Sequence, residues 1–166
     1  MHDQPKYKPY RLSEFFDDHR DMRPRLAGTV ARGQLDADAL LYTGKVDGQF
    51  AADLPMPLDA ALLDRGQERY NIYCSPCHAR TGVGDGMIVR RGYRRPPSYH
   101  DDRLRSAPIG HFFDVMTNGF GAMPDYAAQI SVEDRWAIVA YIRALQLSEH
   151  ATLADVPAAE RDKLEK

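Results

Sequence analysis

The sequence predicts an all-α domain of three to four short helices behind a long, irregular N-terminal extension. Three observations carry that prediction. Apolar residues recur at helical spacing in separate stretches between residues 58 and 147. No stretch alternates apolar and polar residues as a half-buried strand does. The first 57 residues show neither period, and Pro5, Pro9, Pro24, Pro55 and Pro57 interrupt them together with Gly28, Gly33, Gly44 and Gly48.

Each element has a local reason. Residues 1–57 have no pattern long enough to bury a core of their own. Their isolated aromatics, Tyr7, Tyr10, Phe15, Phe16, Tyr42 and Phe50, point to an extended arm that wraps a partner, because disordered tails are poor in such residues. From residue 58, "LDAALLDRGQERYNIYCSPC" reads as a helix capped by Asp59, with Leu62, Leu63, Gly66, Tyr70 and Tyr73 at helical spacing. A loop rich in Gly, Pro and Arg is expected over residues 81–105. "SAPIGHFFDVMTNG" reads as a short helix capped by Ser106, with Pro108 in its first turn and Gly119 as its stop. A tight loop, "FGAMPDYAAQI", leads to the last helix, "SVEDRWAIVAYIRALQL". There Ser131 and Asp134 resemble a capping box, and Trp136, Val139, Ala140, Arg143 and Leu147 lie near one stripe, flanked by Tyr141 and Leu145. The domain is therefore expected over residues 58–148, with residues 149–166 as a frayed tail.

The totals exclude several functions. A chain of 166 residues holds one ordinary domain plus an extension. Its formal charge of −2 argues against a general nucleic-acid binder. The longest apolar run, residues 136–142, is far too short to span a bilayer. "MHDQPKYKPYRLSEFF" has no apolar h-region, so no signal peptide is expected within it.

Both cysteines lie in "NIYCSPCHARTGVGDG". Cys74-Ser75-Pro76-Cys77-His78 is C-x-x-C-H, the attachment pattern of c-type haem. The two thiols add across the two vinyl groups of haem, which sit on neighbouring pyrroles. One turn with two intervening residues sets the sulfurs at that separation, and His78 then faces the iron from the same side. One such motif implies one covalent haem c. Two other readings stand beside it. A redox dithiol needs a strand–helix context, and no strand pattern is found. A zinc site needs a fourth ligand from His100 or His111, with no second CxxC to support it.

The iron needs a sixth ligand or an open position. Met87 follows His78 too closely to reach the far face easily. Met116 sits beside Phe112 and Phe113 and reads as core. Met123 lies in "NGFGAMPDY", where glycines let the backbone pass a flat cofactor and Pro124 keeps the preceding residue extended. Met123 is the expected ligand, against the bland role of gap filler; His100 and His111 are the fallbacks. Met/His ligation raises the potential and closes both axial positions, which makes electron transfer the default chemistry.

On these residues the chain resembles a class I cytochrome c from about residue 58 to 147. Gly66 and Tyr70 precede Cys74 on the first helix, and Trp136 and Tyr141 lie on the last. The resemblance implies that these helices cross, with the glycine allowing close approach. "MHDQPKYKPY", the "FF" at Phe15, "GTVARGQL", "RRGYRRPPSYH" and "DRWAIVAYIRALQ" further resemble the monohaem cytochrome c subunit of bacterial alternative complex III. That resemblance implies a membrane assembly with a multihaem cytochrome, quinol as the source of electrons, and a periplasmic carrier or an oxidase as the acceptor. It also implies a place on the periplasmic side of the cytoplasmic membrane, through partners or a lipid anchor outside this sequence.

Residues 79–105 carry seven arginines against three acids, an excess of four that leaves the rest of the chain at −6. Arginines bind carboxylates in bidentate fashion. Arg90, Arg91, Arg94 and Arg95 are thus candidates to neutralise the haem propionates, with Tyr99 or Trp136 donating a hydrogen bond; a basic loop facing an acidic partner is compatible with this. The resemblance further implies a proline carbonyl on the far nitrogen of His78, from Pro96 or Pro97.

Two readings of function follow. In the first, the chain is a non-catalytic electron-transfer subunit of a quinol:acceptor oxidoreductase. In the second, it is a haem enzyme or sensor with an open iron position. A free soluble shuttle is a variant of the first, disfavoured by the long arm.

Overall fold

The structure, a computed structural model, describes residues 4–33, 35–161 and 163. The chain forms two compact units, Met1–Asp36 and Ala37–Lys166. This corrects the expected arm boundary at residue 57. Residues 37–57 belong to the second unit, through helix α1 (Ala39–Thr43) and a two-stranded hairpin, β1 (Lys45–Val46) and β2 (Gln49–Phe50). The Asp38 side chain caps α1 by accepting from the Leu41 N–H at 2.9 Å. The Ala51 N–H donates to the Gly44 carbonyl, and the Gly110 N–H donates to the Ala51 carbonyl, each at 2.9 Å. Leu40, Leu41, Leu54 and Met56 each touch the core singly, so no period announces them.

The centre of the second unit is the crossing of α2 (Ala60–Tyr73) and α7 (Val132–His150). Asp59 caps α2 as expected, accepting from the Leu62 N–H at 2.8 Å. At the crossing, a Cβ on Gly66 would lie 2.1 Å from the Ala137 carbonyl oxygen, so only glycine permits this approach. Arg65 then grips Asp134 with two bonds of 2.7 and 3.0 Å. Ser131 does accept from the Asp134 N–H, but the Asp134 carboxylate is turned to Arg65 and the expected capping box is only half formed.

Helix α7 is buried on all sides through its middle, from Arg135 to Ala140, because neighbours cover it all round rather than along one stripe. Leu147 is exposed. Trp136 stacks on Phe113 of α6 (Ile109–Asn118) with ring centroids 4.4 Å apart, and both are fully buried. Ser106 does not cap α6; Pro108 holds that position. Ser106 instead ends α5 (Asp102–Arg105), where its hydroxyl donates to the Asp102 carbonyl at 2.7 Å. The expected loop over residues 81–105 also contains a one-turn helix, α4 (Met87–Arg90). Beyond α7, a 3-10 turn (Leu153–Asp155) and α8 (Ala158–Arg161) replace part of the frayed tail.

The first unit is small and held locally. Leu12 pairs with Arg20, and Tyr7 and Phe15 pack on Phe16. Arg23 lies 4.0 Å over the Phe16 ring and pairs with Asp18 at 2.6 Å. Tyr10, Leu12, Phe15, Leu26, Val30 and Leu35 are exposed. Among the described residues no helix is long and apolar enough to cross a membrane.

Candidate functional site

The end of α2 and the turn α3 (Ser75–His78) carry the attachment motif. Cys74 closes α2 with its N–H on the Tyr70 carbonyl at 2.9 Å, and the His78 N–H returns to the Cys74 carbonyl at 2.8 Å. One continuous turn therefore sets both thiols and the imidazole. Both cysteines are free thiols rather than a disulfide. Burial, followed by the neighbouring Cys77, pushes the Cys74 thiol up to about 12. A thiol held so firmly protonated is the opposite of the activated thiolate a redox dithiol uses.

His78 is buried, and burial pushes its imidazole down to about 4, so it is neutral at ordinary pH and able to ligate a metal. Its ring stacks on Tyr99, with centroids 4.7 Å apart and planes 10° from parallel. Its Nδ1 is buried with no hydrogen-bond partner, so the expected proline contact is not made: neither the Pro96 nor the Pro97 carbonyl reaches it. The Pro96 carbonyl is packed instead against Gly84, where a Cβ would lie 2.5 Å from its oxygen.

The glycine-rich segment after His78 wraps back over the motif. The Gly84 N–H donates to the His78 carbonyl at 2.9 Å, and the Gly86 N–H to the Cys77 carbonyl at 3.0 Å. Between them and the turn, Ala79 takes a φ of 62°, a conformation that costs an L-residue about 1 kcal/mol or more. The Tyr70 hydroxyl donates to the Ala79 carbonyl at 2.8 Å and holds that geometry. Tyr70, Gly84 and Gly86 are thus site residues the sequence did not single out in this role. Nothing but glycine spacing and one helical aromatic signalled them.

Met123 lies in a tight reversal in which Phe120 and Met123 exchange two backbone hydrogen bonds of 3.0 Å. It is partly buried and packs against the core cluster that includes Cys74 and Tyr99. Tyr126 follows it, and its hydroxyl is raised by burial and, next, by Cys77 and Cys74, which places the phenol within electrostatic reach of both thiols. The structure thus gathers the motif, Tyr99, Tyr126 and the Met123 loop on one core. Met87 is exposed, and Met116 is buried in that core as expected.

The other candidates are dispersed. Arg90 is already paired with Asp85 at 2.8 Å, and Arg95 donates to the Val83 carbonyl at 3.0 Å. Arg91 and Arg94 are exposed. Trp136 cannot serve a propionate, because its indole N–H is spent on the Leu41 carbonyl at 2.8 Å in the core. His100 is bound to the Thr81 carbonyl at 2.7 Å, and His111 sits among Phe50, Phe112 and Phe120. Among the described residues no group of three or more His, Cys, Asp or Glu is placed to hold a metal ion, so the expected zinc alternative finds no ligand set.

Two free cysteines on one turn with a buried, neutral imidazole beside them fit a c-type haem. The family comparison agrees. Residues 61–142 match the family described as cytochrome C oxidase, cbb3-type, subunit III. A chain of the Kuenenia stuttgartiensis reducing HAO-like protein complex is similar in structure, with a TM-score of 0.49 and 19% identity. That match covers 64% of this chain and 54% of the other, so it spans about half the length of that relative.

Proposed function

We propose, from the premise that residues 61–142 form a class I c-type cytochrome domain with covalently bound haem, that this chain is a monohaem electron-transfer subunit. Cys74 and Cys77 would hold the haem, and His78 and Met123 would be the residues that ligate its iron. When bound, the haem supplies a one-electron couple. The protein's residues do the rest: Tyr99 orients the imidazole by stacking, the core excludes water, and the Met123 loop would present its thioether to the iron. Arg91 and Arg94, whose guanidinium groups are not already committed, neutralise the propionates. The carrying observation is the pair of free cysteines on one turn with a buried, neutral His78 beside them.

In this reading electrons arrive from a quinol-oxidising membrane complex resembling alternative complex III, through a neighbouring multihaem cytochrome. They leave to a periplasmic carrier or an oxidase, on the periplasmic side of the membrane. The exposed apolar side chains of the first unit, Tyr10, Leu12, Phe15, Leu26, Val30 and Leu35, support a partner-wrapping role for it.

Two measurements test the proposal. The ferric optical spectrum of the exported holoprotein is expected to be low-spin with the weak long-wavelength band of a Met–iron bond; high-spin features would favour the enzyme or sensor reading. Deleting residues 1–36 is expected to leave the haem domain folded but unable to co-purify with a membrane complex. Co-purification that survives the deletion would remove the arm from assembly.

A further inference from the structure

The Met123 reversal is held from within by its two backbone bonds and from outside by one distant side chain. The Tyr93 hydroxyl donates to the Ala122 carbonyl at 2.8 Å, across 29 residues of sequence. The peptide it grips is the one that leads into Met123. Tyr93 is itself anchored: its N–H donates to the Ile88 carbonyl at 3.2 Å. On either side of it, Arg90 pairs with Asp85 and Arg95 bonds the Val83 carbonyl. Val83 and Asp85 flank Gly84, whose N–H holds the His78 carbonyl. A continuous run of bonds therefore joins the turn that carries His78 to the loop that carries Met123.

We infer that Tyr93 is a positioning residue, a latch that keeps the Met123 thioether seated on the iron. The inference rests on the reading of Met123 as axial ligand. Tyr93 is half exposed and Ala122 is exposed, so the bond ties two surface segments and adds little to the core. Its contribution falls on the ligand loop. One net hydrogen bond of ordinary strength corresponds to about a fivefold change in an equilibrium. Replacing the hydroxyl by hydrogen loosens the loop without removing the ring.

The test uses the full-length ferric holoprotein, titrated with imidazole, which competes with Met123 for the iron. Tyr93→Phe is expected to bind imidazole about fivefold more tightly than the parent. The pH at which the Met–iron band is lost on alkaline titration should fall by about 0.7 unit. In a Met123→Ala background, Tyr93→Phe should change imidazole affinity by less than about twofold, because there is no thioether left to seat. Equal affinity of Tyr93→Phe and parent overturns the latch. So does the same tightening in both backgrounds, which means Tyr93 acts on the iron site without Met123. If Met123→Ala alone retains the Met–iron band, the ligand assignment itself fails and the latch falls with it.

Discussion

The two sides of the proposed haem site are built to different standards. On the His78 side Cys74 and His78 are buried, the Cys77 and His78 carbonyls are both satisfied by glycine N–H groups, and the strained Ala79 is pinned by Tyr70. On the Met123 side the loop is largely exposed, with two mutual backbone bonds and one bond from Tyr93. In the proposed reading, the difference means that attachment and ligand exchange would be carried by separate structure. A permanent bond needs a rigid seat, whereas an exchangeable ligand sets the potential from a loop whose stability is adjusted by a few weak contacts.

The largest expected effect removes the rigid seat's chemistry. Cys74→Ser with Cys77→Ser should abolish covalent attachment, so that acidified organic solvent extracts all the haem, whereas the parent retains it on a denaturing gel. Haem that stays on the doubly substituted chain would break the comparison at its root.

Next come the glycines of the two sides. A Cβ on Gly86 would lie 2.3 Å from the Pro76 carbonyl oxygen, and backbone cannot yield easily. Gly86→Ala should cost the holoprotein about 3 kcal/mol in thermal or denaturant unfolding. Gly121 has a φ of 60° but nothing within 4 Å of its would-be Cβ, so Gly121→Ala should cost only about 1 kcal/mol. Similar losses at the two sites would show that the Met123 side is as tightly built as the His78 side.

Met123→Ala should leave the fold nearly unchanged while removing the Met–iron band and lowering the reduction potential, measured by redox titration of the optical spectrum. A loss of global stability as large as that of Gly86→Ala would contradict the division of labour.

Several features were legible in the sequence because they are local. The Asp59 and Ser131 caps, the stop at Gly119 and the C-x-x-C-H turn each depend on residues within a few positions of one another. Gly66 was legible through family resemblance, and the 2.1 Å approach to Ala137 supplies its physical reason. Residues 37–57 were misplaced because they join the core through scattered contacts, such as Leu41 accepting from Trp136, that leave no periodic trace. Trp136 and Ser106 were misassigned for the same kind of reason: a donor's partner is chosen by what folds against it, not by its neighbours in sequence.

The sequence by itself determined that two thiols and an imidazole share one turn, since covalent spacing and helical geometry leave that little freedom. Only the tertiary structure decided that His78 is kept neutral by burial, that the glycine loop folds back over its carbonyl, and that Tyr93 reaches the peptide before Met123. Those outcomes depend on desolvation and on contacts between distant segments, which exist only once the helices have packed.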